Sequence, residues 1–167
     1  MTEKPFHIQR AAELADRLDA DNQLWSAVRF DNQSHPWYGL LLGEIVPLIG
    51  FDAIEYVTSK IEFDEPRLGI LIIVFTAENV ICSSKESVES PSMTTIFSRS
   101  KLRGMEGHGA MSPFDNEFGS RWPGAYKVAL NYEDGFDPID LPLGTRSVAR
   151  SLILAEFLPS LIADLSR

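Results

Sequence analysis

Near Ala53 the apolar residues of this chain change their period, and few fold classes accommodate such a change. Upstream, Ile8, Ala11, Ala12, Leu14, Ala15 and Leu18 recur near helical spacing, as on one face of a helix. Asp19-Ala20-Asp21-Asn22 interrupts that face and offers a fresh N-cap, after which Leu24, Trp25 and Val28 resume it. Downstream, residues 53–63 alternate. Ile54, Tyr56, Thr58, Lys60 and Glu62 point one way, while Ala53, Glu55, Val57, Ser59, Ile61 and Phe63 point the other. Helices followed by a run of strands predict an α+β fold built on an antiparallel sheet or a partly open barrel.

The remaining segments extend this pattern. Residues 37–50 are apolar but punctuated by Gly39, Gly43 and Pro47, which suits a short helix or an irregular packed segment. Asp64-Glu65-Pro66-Arg67 is a turn, and residues 68–76 form an apolar run of strand length, expected to be buried on both faces. Ala77-Glu78-Asn79 turns the chain back into Val80-Ile81-Cys82-Ser83, which completes a hairpin or meander. A polar loop over residues 85–92 leads to a strand over residues 93–102. Residues 104–124 hold five glycines and two prolines and read as one long loop. Residues 125–132 form a strand, with a short final strand around residues 138–141. Thr145 then N-caps a C-terminal amphipathic helix whose stripe is Val148, Leu152, Ala155, Leu158, Ile162 and Leu165, with a kink or break expected near Leu158 because Pro159 follows.

Composition narrows the function classes. With 167 residues, 44% of them hydrophobic, the chain can bury a core of its own as a single domain. Cys82 is the only cysteine, so no intrachain disulfide forms and no multi-cysteine metal site is possible. With no signal-like N-terminus and no apolar run of membrane-spanning length, this points to a cytoplasmic protein. The net charge is −9 and unevenly spread: residues 1–52 carry four basic and eight acidic side chains, and residues 105–144 carry two and seven. Such acidity repels phosphate backbones and anionic lipid, so nucleic acid and membranes are not expected partners.

Two pieces carry a family resemblance. Phe75-Thr76-Ala77-Glu78-Asn79-Val80-Ile81 resembles the strand–turn–strand of bacterial pleckstrin-homology-like domains, and Ser98-Arg99-Ser100-Lys101-Leu102-Arg103-Gly104-Met105-Glu106 is similar to the strand and turn that follow it. The resemblance spans residues 53–166 and rests on element order, antiparallel strands followed by one terminal helix. It implies a binding or scaffolding module, often oligomeric, and leaves residues 1–50 as an N-terminal helical extension. Fold alone does not name a ligand.

Several side chains have both a possible chemistry and a plainer role. Arg99, Lys101 and Arg103 alternate, so in a strand they would share a face, as an anion patch or as partners of Glu55, Glu62 or Asp64. Met105, Met111, Phe114, Phe118 and Trp122 lie among glycines, where they form a protein contact or cap the sheet. His108 has Asp115 and Glu117 downstream but no spacing that completes a metal site. Asp134, Asp137 and Asp140 read as solvated turn acids, and Cys82 as a packing residue with no basic neighbour to activate it. No catalytic residue, metal ligand or cofactor site is expected. The function expected is non-enzymatic protein binding or scaffolding, with another protein or a second copy as partner. Two rivals stand beside it. One is a ligand pocket or active site between the N-terminal helices and the sheet, lined by Trp25, His35, Trp37, Tyr38 and His108. The other is an immunity-type inhibitor of a basic toxin.

Overall fold

The helical period upstream of residue 53 becomes three helices, α1 (Phe6–Asp21), α2 (Leu24–Phe30) and α3 (Pro36–Ile49). The computed structural model describes residues 5–31, 35–64, 67–109, 126–133, 137–144 and 147–166. Within them lie four helices and two antiparallel sheets of four and three strands, an α+β fold. No helix among the described residues is long and apolar enough to cross a membrane. The chain divides into two compact units, Met1–Phe97 and Ser98–Arg167. The division falls well past the change of period near residue 53, because α1, α2 and α3 share one core with the first sheet.

In the first unit, the break expected at residues 19–22 separates α1 from α2, and the Asn22 side chain accepts a hydrogen bond from the Leu24 amide at 3.0 Å. α3 is a regular helix rather than an irregular segment. Pro36 stands in its first turn, where a missing amide costs nothing, and Gly50, at φ +58°, supplies the left-handed residue that ends it. The sheet is a meander in the order β1 (Ile54–Asp64), β2 (Arg67–Thr76), β3 (Asn79–Ser87), β4 (Met93–Ser98). Its register pairs Val57 with Val74, Ser59 with Ile72, and Val74 with Ile81, which places these residues toward the helices. There Leu14, Leu18, Trp25, Leu41, Ile45 and Ile49 meet Ile54, Val57, Ile72, Val74 and Ile81 in one buried cluster. Each such side chain contributes about 1.5–3 kcal/mol by leaving water. The alternate residues Tyr56, Ile73, Phe75 and Val80 are also buried, so β2 is covered on both faces, as its unbroken apolar run requires.

β1 is an edge strand, and α1 covers part of its edge with side chains. The Asp21 carboxylate accepts from the Ser59 amide at 2.7 Å and from the Ser59 hydroxyl at 2.6 Å, and Ser59 Oγ in turn accepts from the Trp25 indole at 2.8 Å. One turn earlier on α1, Arg17 donates to the Glu55 carbonyl at 3.4 Å. Backbone groups that would otherwise template another strand are thus occupied.

The second unit opens with a single 3-10 turn, Arg99–Lys101, followed by β5 (Leu102–His108), β6 (Lys127–Tyr132), β7 (Ile139–Leu141) and α4 (Val148–Asp164). The single strand expected over residues 93–102 is therefore two strands separated by a turn. The loop expected from residue 104 begins later, because β5 continues to His108 and pairs Met105 with Leu130 and His108 with Lys127. Glycine is tolerated there because a neighbour fills the space a side chain would occupy: a Cβ on Gly107 would overlap the Tyr126 phenol.

α4 departs from expectation in three ways. Ser147 provides its N-cap, accepting from the Arg150 amide at 3.2 Å, while Thr145 lies outside the described residues. Pro159 does not end the helix, which continues to Asp164. Its buried face is Arg150, Ser151, Leu154, Phe157, Leu161 and Asp164, whereas Val148, Leu152, Ile162 and Leu165 of the expected stripe are exposed. The cause is polar. Arg99, only 1% exposed, donates to Asp164 at 2.7 Å and to Ser160 at 2.8 Å, and its guanidinium lies 5.3 Å from the centre of the Phe157 ring. An ion pair of this kind fixes the rotation of a helix that is apolar nearly all round.

Two losses of stability follow. Ser59→Ala leaves the Trp25 indole and the Asp21 carboxylate each short of a partner and is expected to cost about 2–3 kcal/mol in urea unfolding; a loss within experimental error would show that the network contributes nothing. Arg99→Ala strands the Asp164 carboxylate and is expected to cost about 3–5 kcal/mol, whereas Arg99→Met combined with Asp164→Leu recovers most of that loss. Equal instability of the single and double variants in the same assay would refute the account.

Candidate functional site

The clearest candidate surface is the outward side of α4. Ser147 starts the helix and the Arg99–Asp164 pair sets its rotation, and the face turned to solvent carries Val148, Leu152, Ile153 and Ile162, with Leu165 just beyond the helix end. Each of these five side chains is 38–57% exposed. Glu156 is the one charged residue exposed along the helix, since Arg150 and Asp164 are buried. Scattered exposed apolar residues are ordinary, whereas a contiguous exposed apolar patch is a common feature of contact surfaces.

α3, in the first unit, has a smaller face of the same kind. Leu40 is 71% exposed, and Gly39, Gly43, Pro47 and Leu48 lie beside it. Its single charge, Glu44, accepts from the Ser92 hydroxyl. The following turn adds Phe51, which stacks on Phe6 with ring centres 4.4 Å apart.

The residues named from the sequence are placed differently from one another. Arg99, Lys101 and Arg103 do not form a strand row: the first and second bound the 3-10 turn and the third lies on β5. Arg99 is enclosed with Asp164, and Arg103 pairs with Glu133 across the strands, a plainer role than anion binding. Met105 is half-buried on β5, while Met111, Phe114, Phe118 and Trp122 lie outside the described residues. His108 is exposed on β5 with Nε2 3.8 Å from a Glu106 carboxylate oxygen. Among the described residues, no three His, Cys, Asp or Glu side chains come together in a way that could hold a metal ion. Asp137 and Asp140 are exposed, and Asp134 is outside the described residues. Burial pushes the Cys82 thiol up to about 11, so it is protonated and unreactive at neutral pH.

The aromatic residues proposed to line a pocket instead fill the core. Trp25 and Tyr38 lie 5.8 Å apart, Trp37 and Tyr38 6.3 Å, and His35 and Trp37 5.9 Å between ring centres, with both tryptophans and Tyr38 buried. His108 belongs to the second unit. A groove of about 600 Å³ lies elsewhere, across β1, β2 and β3 at Lys60, Glu62, Leu71 and Ser84. Of its charges, Lys60 pairs with Glu62 at 2.6 Å, Lys85 donates to the Ser90 carbonyl, and Glu86 also lines the groove.

Tyr38 is a strongly perturbed group in the helical layer. Burial, reinforced by the Asp19 carboxylate, pushes its phenol up to about 12, and its hydroxyl has no hydrogen-bond partner among the described residues. Asp19 is itself held by Arg29 at 2.8 Å, and Arg29 also reaches Asp16 at 2.7 Å.

Compared with protein-family models, curated proteins and solved structures, the chain matches none.

A phenol raised in the folded state stays protonated after its unfolded counterpart ionises, so stability is intact below about pH 10 and declines above it until about pH 12. Tyr38→Phe removes that decline. Relative to the parent, the variant is expected to gain about 1 kcal/mol between pH 9 and 11 and to be no less stable at pH 7, since the lost hydroxyl had no partner. Parallel alkaline limbs in urea unfolding would contradict this assignment.

Proposed function

We propose that this chain is a non-enzymatic protein-binding or scaffolding module whose strands and last helix form a pleckstrin-homology-like core. The observation that carries the binding reading is the outward face of α4, an apolar stripe along a helix of 17 residues with one exposed charge. Supporting the fold reading is the element order among the described residues, antiparallel strands β1–β7 followed by α4.

Physical chemistry favours contact over catalysis at this surface. A convex, nearly uncharged helix face offers no converging polar groups to orient a reacting molecule, but it does offer area that gains free energy on leaving water. The chain's net charge of −9 steers basic surfaces at long range, whereas the stripe itself rewards apolar ones at contact.

The reading is tested by replacing Leu152 with aspartate. Protein association of the full chain, measured by capture on an immobilised sample and by light scattering, is expected to fall at least tenfold, with unchanged circular dichroism. Association that survives Leu152→Asp undiminished would refute binding through α4.

A further inference from the structure

We draw no further inference here: the strongest candidate, the groove of about 600 Å³ across β1, β2 and β3 that Glu62 and Glu86 line, offers a pair of carboxylates of which Glu62 is already paired with Lys60, and nothing in the structure shows what ligand would fill it.

Discussion

The Asp21 carboxylate sits at the C-terminal end of α1, where the helix dipole disfavours negative charge, and it is buried. Both penalties are offset by one residue. Ser59 donates its amide and its hydroxyl to the same carboxylate oxygen, and Trp25 donates its indole to Ser59. Three elements, α1, α2 and β1, are thereby held at one point inside the apolar cluster. Hydrophobic contact alone would let the helices slide on the sheet, since burial has no direction. A charged acceptor with two short donors does not slide. The same bond occupies an outward amide of the edge strand, so one interaction positions the helical layer and closes part of the sheet edge.

The second unit uses the same device at the other end of the sequence. Arg99 and Asp164 are 65 residues apart, and their pairing fixes α4 against the turn that opens the unit. Buried ion pairs add little net stability but are very specific about geometry. Here the geometry they specify has a consequence for the surface. With Asp164 and Phe157 turned inward, Val148, Leu152 and Ile162 turn outward, and a helix apolar on both sides has one side left to offer. The candidate contact face is thus created by a polar interaction on the opposite side of its own helix.

Much of the fold was legible because period is a local property. The alternation of β1, the meander of β1 to β3, the break between α1 and α2 and the double burial of β2 all follow from alternation and spacing within a few residues. The misreadings have equally specific causes. Gly104 and Gly107 looked like loop residues because the side chain that covers Gly107, Tyr126, is distant in sequence. Arg99, Lys101 and Arg103 alternate as strand residues do, but a 3-10 turn interrupts them and one of the three is drawn into a buried pair. Spacing predicts the α4 stripe but not its direction, because spacing counts apolar residues and cannot weigh an arginine that comes from elsewhere.

The sequence by itself therefore determined the class of fold, the order of its elements and the existence of an apolar stripe on the last helix. Each depends on residues near one another in the chain. Only the tertiary structure decided that the N-terminal helices share their core with the first sheet, that the clustered aromatics fill that core, and that the stripe of α4 faces outward. Those outcomes turn on Asp21 with Ser59 and on Arg99 with Asp164, pairs 38 and 65 residues apart. A long-range polar contact leaves no periodic trace in the sequence, and here it determines which apolar surface is core and which is left exposed.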